Sequence, residues 1–209
     1  MAEPLIRVLC VEDHAVVREG ISLIIGMQPD MEVVGAAPTG EAAVSMFRQY
    51  RPSVTLMDLQ LPGMSGLDAI KAIRAKDPGA RIIVLTMYEG DEDIFRALEA
   101  GAATYLLKNT LSDDLVRVVR EVHEGAQPLS DEIAERLAAR KMETALTQRE
   151  TDVLKLLAKG MRNKEIGATL GITEETIHGY IKSIFQKLKV QDRTAAVTVG
   201  LRRGIIHLS

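Results

Sequence analysis

Three carboxylates, a hydroxyl and an ammonium stand along the first 108 residues of the chain, each at or directly after the end of a short apolar run. Glu12 and Asp13 follow Ile6 to Val11, Asp58 closes Ser53 to Asp58, Thr86 closes Arg81 to Thr86, and Lys108 follows Thr104 to Leu107. If these runs are strands of one parallel sheet, their C-terminal ends open onto a single crevice and the five groups converge there. Three carboxylates in so small a volume repel one another. A hard divalent cation with oxygen ligands, Mg2+ above all, would offset that repulsion while keeping several of its own waters. A hydroxyl and an ammonium facing the carboxylates and the cation are suited to holding phosphoryl oxygens. Taken singly, each of the five is an ordinary loop residue; their shared position at the ends of four runs is what asks for a common site.

The elements that must position them can be read from periodicity. Five runs rich in β-branched residues, Ile6 to Val11, Met31 to Ala36, Ser53 to Asp58, Arg81 to Thr86 and Thr104 to Leu107, are too short for helices and read as strands. Between them, Ala15 to Met27, Thr39 to Tyr50, Gly66 to Lys76 and Asp91 to Glu99 carry apolar residues three and four apart, and Leu111 to Glu124 follows the last strand. The order is (βα)5, and runs apolar almost throughout, such as Ile82-Ile83-Val84-Leu85, suit a sheet covered on both faces. The fold class expected is α/β plus all-α: a doubly wound parallel sheet, followed by a four-helix unit.

After Gly125 the strand signals stop. Residues 126–144 read as a linker that is part helical, with Ser130 capping a helix over Asp131 to Lys141. Residues 145–209 then read as four helices. Thr147-Gln-Arg-Glu150 is a capping-box pattern, Val153, Leu154, Leu156 and Leu157 form an apolar stripe, and Gly160 ends that helix. A second runs from Asn163 to Leu170 and stops at Gly171. Thr173 caps a third, in which Ile177, Ile181, Ile184, Phe185 and Leu188 share one face, and a fourth covers Asp192 to Arg203. Charge divides the same way: residues 1–125 hold 12 Lys+Arg against 19 Asp+Glu, net -7, and residues 126–209 hold 14 against 10, net +4. A polyanionic partner is therefore expected for the second part alone.

Composition excludes several classes. The chain has 209 residues with 46% hydrophobic and 26% charged side chains, a balance that is neither disordered nor fibrous. No apolar run approaches the roughly 18 residues a membrane span needs, and the first residues carry no secretory pattern, so a cytoplasmic protein is expected. The single cysteine, Cys10, lies in an apolar run and is read as a buried, inert thiol.

On Val11-Glu12-Asp13, Met57-Asp58-Leu59-Gln60-Leu61-Pro62-Gly63-Met64-Ser65-Gly66, Leu85-Thr86 and Tyr105-Leu106-Leu107-Lys108, residues 1–125 resemble the receiver domain of bacterial two-component response regulators. The resemblance implies that Asp58 accepts a phosphoryl group from a sensor histidine kinase. It implies that Glu12, Asp13, Asp58 and the backbone carbonyl of Gln60 bind Mg2+, and that Thr86 and Lys108 contact the phosphoryl oxygens. Tyr105 matches an aromatic switch that turns inward as Thr86 moves; the alternative is a strand aromatic that packs inward in any state. Thr104 stands where the family tends to have glycine.

The tail resembles the LuxR-type helix-turn-helix domain in its NarL/FixJ arrangement, through Leu146-Thr147-Gln148-Arg149-Glu150, Asn163-Lys164-Glu165-Ile166, Leu170-Gly171-Ile172, Thr176-Ile177-His178, Lys187-Leu188 and Arg193-Thr194-Ala195. Periodicity and resemblance agree on the DNA-facing side. Burying Ile177, Ile181 and Ile184 leaves Glu175, His178, Gly179 and Lys182 opposite, and the family's base-contacting positions map onto His178, Gly179 and Lys182. His178 stands where the family most often has lysine and Lys189 where glycine is common. Arg162, Lys164, Lys187 and Arg193 are each either a phosphate contact or a surface charge.

Three classes follow. The first is a phosphorylation-controlled transcription factor that binds promoter DNA, exposing its helix-turn-helix domain or forming a homodimer when phosphorylated. The second is a Mg2+-dependent phosphatase of the haloacid-dehalogenase type, which needs a second acid two residues beyond the nucleophile, where this chain has Gln60. The third is a receiver used only for dimerisation, against which the full acidic set with Thr86 and Lys108 argues. No catalytic turnover is expected beyond self-dephosphorylation.

Overall fold

The computed structural model describes residues 4–86, 90–108, 112–129 and 145–206. The helix read over Asp131 to Lys141, with its cap at Ser130, lies outside the described residues. The chain divides into two compact units, residues 1–88 with 94–130 and residues 131–209 with the short segment 89–93.

Along residues 4–123, all in the first unit but for 89–93, β1 (Ile6–Val11), β2 (Met31–Ala37), β3 (Val54–Asp58), β4 (Ile82–Thr86) and β5 (Thr104–Leu107) alternate with α1 (Ala15–Gly26), α2 (Gly40–Tyr50), α3 (Gly66–Arg74), α4 (Asp91–Glu99) and α5 (Ser112–His123). The five expected strands and their helices are present, with ends that move by one or two residues. Thr39, for instance, is the N-cap of α2 and accepts from Ala42 N at 3.2 Å. All strand pairs are parallel and the order is β2-β1-β3-β4-β5. Successive side chains of a strand face opposite ways. Ile6, Val8, Cys10, Val54, Leu56, Ile83 and Leu85 therefore share one face, which packs on Ile21 and Ile25 of α1 and Val116 and Val119 of α5. The alternate set, Leu9, Met57, Ile82 and Val84, is buried on the other face.

In the second unit, α6 (Gln148–Ala158), α7 (Asn163–Leu170), α8 (Glu174–Leu188) and α9 (Arg193–Arg202) enclose a core of Val153, Leu154, Leu157, Ile166, Ile177, Ile184 and Leu188. The caps are as the sequence predicts. Thr147 Oγ1 accepts from Glu150 N at 3.3 Å while Glu150 accepts from Thr147 N at 2.6 Å, and Thr173 Oγ1 accepts from Thr176 N at 3.2 Å. Gly171 ends α7 at φ +68°. Lys189 ends α8 in the same left-handed region, φ +56° and ψ +44°, where glycine would carry no steric cost.

Candidate functional site

Sheet order places the first site. The chain leaves β1 toward β2 on one side and returns to β3 on the other, so the crevice between the β1 and β3 ends is the switch point of the sheet. Glu12 and Asp13 follow β1, and Asp58 is the last residue of β3. Pairing Asp58 with Leu85 carries Thr86 one residue further, and Lys108 N donates to Thr86 O at 2.9 Å, extending the β4–β5 ladder by one step. Glu12, Asp58 and Thr86 are buried to within 2% exposure, which a loop acid does not show unless the fold holds it there.

Lys108 connects the acids. Its Nζ lies 2.5 Å from Glu12 Oε2 and 2.8 Å from Asp58 Oδ2. Glu12, Asp58 and Lys108 follow the parity of the α1/α5 face, whereas Thr86 and Tyr105 continue the parity of Val84 on the other face. Burial pushes the Asp58 carboxyl above its usual range, a rise that the neighbouring Glu12 charge adds to and that Lys108 and the Gln60 amide, donating to Oδ1 at 3.3 Å, only partly oppose. Burial also works against the charge of Lys108, but its contacts with Asp58 and Glu12 outweigh that and its pKa rises. Cys10, one strand position inward from Val11, is pushed up to about 12 by burial and by Glu12, and so is the inert thiol expected.

The donor set suits a hard cation. Glu12 Oε2 and Asp13 Oδ1 are buried and accept no well-aligned hydrogen bond; the contacts they do have are with the Lys108 ammonium and, at 2.8 Å, with His14 Nδ1. Oxygen atoms of Glu12 and Asp13 and a ring nitrogen of His14 lie within 4.8 Å of one another. Asp58 stands outside that trio, across Lys108.

Three supporting residues escaped the sequence reading. His14 donates its backbone N–H to Glu12 Oε1 at 3.1 Å, and that carboxylate, with Asp13, raises the pKa of its ring. Arg18 Nη1 donates to the carbonyls of Glu12 at 2.6 Å and Asp13 at 3.2 Å, pinning the loop that presents both acids. Glu41, on α2, accepts from Met64 N at 2.8 Å and so fixes the loop between β3 and α3. Their signal is weak because none carries a pattern of its own: His14 and Arg18 act on the neighbouring Glu12 and Asp13, and Glu41 acts on a loop 23 residues away. Gly66 is more legible: a Cβ there would lie 1.9 Å from the Asp58 carbonyl oxygen, so α3 can start against β3 only with glycine. Tyr105 is 3% exposed and already inward, on the face that carries Thr86.

On α8, Ile177, Ile184 and Leu188 are buried, Ile181 and Phe185 half-buried, and His178, Gly179 and Lys182 exposed together on the opposite side. Arg162 and Lys164, at the start of α7, are also exposed. The other two basic candidates have internal work. Lys187 Nζ lies 2.6 Å from Glu150 Oε2 at 18% side-chain exposure, and Arg193 Nη2 donates to the carbonyls of Met161 at 2.5 Å and Leu157 at 3.1 Å. Lys187 and Arg193 thus have partners inside the domain, whereas Arg162 and Lys164 are the more exposed of the four.

Comparison with known proteins covers the chain in two blocks. Residues 8–120 match the response regulator receiver domain, and residues 144–199 match the LuxR family of bacterial regulatory proteins. The transcriptional regulatory protein YdfI of Bacillus subtilis is 39% identical over 210 residues, covering 97% of this chain and 98% of the relative. Among solved structures, response regulator ChrA of a heme-sensing two-component system is 35% identical, with a TM-score of 0.57 over 98% of this chain and 100% of that one. The response regulator RcsB in a DNA complex is 26% identical, with a TM-score of 0.67 over 95% of this chain and 98% of that one.

Proposed function

The chain belongs to the two-component response regulators that join a receiver domain to a LuxR-type DNA-binding domain, and on that premise we propose a transcription regulator switched by phosphorylation of Asp58 by a partner histidine kinase. The observation that carries this reading is Asp58 itself: a buried carboxylate at the switch point of the sheet, with one ammonium at 2.8 Å and a second carboxylate sharing that ammonium. An oxygen of Asp58 attacks the phosphorus of the phosphohistidine, the P–N bond breaks, and the phosphoryl group passes to the carboxylate. The Gln60 amide orients the attacking group through Oδ1. Lys108 stands ready to neutralise phosphoryl oxygens and Thr86 to donate its hydroxyl to one of them.

Mg2+ would be held by Glu12, Asp13, Asp58 and the backbone carbonyl of Gln60, and the two carboxylate oxygens without an aligned donor support that choice. When bound, the cation neutralises the acids and the incoming phosphoryl charge. Gln60 supplies no acid or base two residues beyond Asp58, so the only turnover assigned is slow loss of the chain's own phosphoryl group.

A modification shifts a two-state equilibrium by its differential contacts with the two states. Thr86 and Lys108 make that difference here, and Tyr105, packed on the face of Thr86, passes it toward the far side of the sheet. The output is DNA binding by residues 145–209 in the cytoplasm, with residues 1–125 as the receiver and 126–144 as the linker. His178, Gly179 and Lys182 face the bases in the major groove, while Arg162 and Lys164 face phosphates. The phosphorylated form is a homodimer whose two domains sit one helical turn apart, roughly 34 Å, on the promoter.

Light scattering with Mg2+ and beryllofluoride, an aspartyl-phosphate mimic, tests the switch. The wild type is expected to pass from monomer to dimer, and Asp58→Ala to stay folded and monomeric. An Asp58→Ala protein that still dimerises and binds DNA in response to the mimic would refute the assignment.

A further inference from the structure

Among the groove-facing residues of α8, His178 has a partner outside its own helix. The amide nitrogen of Asn163 lies 3.3 Å from its Nε2 and 3.5 Å from its Nδ1. Asn163 is the first residue of α7 and is half-buried. That helix start is fixed in turn by Glu165, whose carboxylate accepts from Arg162 N at 2.6 Å. A ring on an exposed face of one helix is thus held by a side chain anchored on the next. Gly179, beside it on the same face, has no side chain to offer, and a Cβ added there would meet nothing within 4 Å.

The chemistry of the contact matters because a neutral imidazole is an ambivalent reader, with one nitrogen a donor and the other an acceptor. Both ring nitrogens lie within 3.5 Å of the Asn163 amide nitrogen, so the contact holds the ring as a whole, and the orientation it fixes decides which edge of the ring meets a base. We propose that Asn163 is a positioning residue for DNA recognition, one that holds the His178 ring in one orientation against the start of α7. His178 then presents a fixed edge to the base pair it reads, which sharpens discrimination at that position. The inference rests on the reading of α8 as the DNA-facing helix, and it adds a residue from α7 to the reading surface.

The test uses the full-length protein with Mg2+ and beryllofluoride. Duplexes preferred by the wild type are selected from a randomised pool, and base preference is then measured position by position for Asn163→Ala, His178→Ala, the double variant and Lys182→Ala. The base pair read by His178 is the one at which His178→Ala relaxes the preference. At that base pair Asn163→Ala is expected to lower discrimination between bases by about tenfold, with binding to random duplex and its salt dependence unchanged. Asn163→Ala should have little further effect once His178 is alanine, because a positioning residue has nothing left to position. Thermal unfolding of Asn163→Ala close to wild type excludes a loss of fold as the cause. An unchanged preference in Asn163→Ala, or an effect that adds fully to that of His178→Ala, overturns the proposal while leaving α8 as the reading helix. If His178→Ala and Lys182→Ala both leave the preference unchanged, the DNA-facing assignment of α8 fails and the proposal falls with it.

Discussion

Lys187 meets Glu150 at 2.6 Å between two helices of the second unit, and Lys108 meets Asp58 at 2.8 Å in the crevice of the first, yet the two carboxylates are shifted in opposite directions. Burial raises both. For Glu150 it is outweighed by Lys187, by the Ser183 hydroxyl donating at 2.6 Å and by Thr147 through its N–H and hydroxyl, and its pKa is lowered to about 2. For Asp58 it is not outweighed, because the one ammonium is shared with Glu12, whose charge adds to the rise. The first pair is complete and ties α6 to α8. The second is left short of donors, which is the condition a metal ion or a phosphoryl group can relieve. Under-satisfied charge marks the candidate site; satisfied charge marks the scaffold.

The largest expected break of this contrast is Glu150→Ala. It strips Lys187 of its partner and unties two helices, and should cost the second unit about 3–5 kcal/mol. Amide hydrogen exchange of the full chain checks this: protection should fall across α6 to α9 and hold in β1 to β5, whereas equal loss in both units would contradict the separation.

Acid should act next. The depressed pKa of Glu150 means that its stabilising contribution is complete above its unfolded value, near 4.5, and is lost as pH falls from there through about 2. Asp58, shifted upward, contributes with the opposite sign: its protonation favours the folded state, so its own contribution grows on acidification. Hydrogen exchange across this range should show helices α6 and α8 weakening by a few kcal/mol, an effect that Glu150→Gln removes.

Lys108→Met sharpens the contrast from the other side. It leaves Glu12 and Asp58 buried without their ammonium, so the variant should unfold at a lower temperature than wild type in the absence of metal. Mg2+ at about a hundredfold over its dissociation constant should return about 2.7 kcal/mol. Calorimetry with and without Mg2+ measures both, and a variant indifferent to Mg2+ would contradict the proposed ligand set. The smallest effect is expected at Gly179. This interior glycine has open space beside it, so Gly179→Ala should stabilise α8 by about 1 kcal/mol, measurable as a raised unfolding temperature. Gly66→Ala, built against the Asp58 carbonyl, should do the opposite.

Much of this was legible along the chain, because it rests on local rules. Short apolar runs and period-3.6 patterns marked every described strand and helix to within a residue or two. Cap chemistry placed the starts of α6 and α8 at Thr147 and Thr173, whose hydroxyls satisfy backbone donors three residues on. Chemical type at the ends of the runs marked Glu12, Asp13, Asp58, Thr86 and Lys108, and amphipathic spacing separated His178, Gly179 and Lys182 from the core.

Partnership was not legible, because it depends on which elements become neighbours. Sheet order set β3 between β1 and the β4–β5 pair and so brought Asp58 to Glu12 on one side and to Lys108, 50 residues away along the chain, on the other. The same dependence turned Lys187 and Arg193 inward, set Glu41 to hold a loop it does not belong to, and laid Asn163 against His178. A lysine on a helix reads the same whether it meets water, a phosphate or a buried glutamate. Local pattern determines what a residue can do, and packing between distant segments decides which of those things it does.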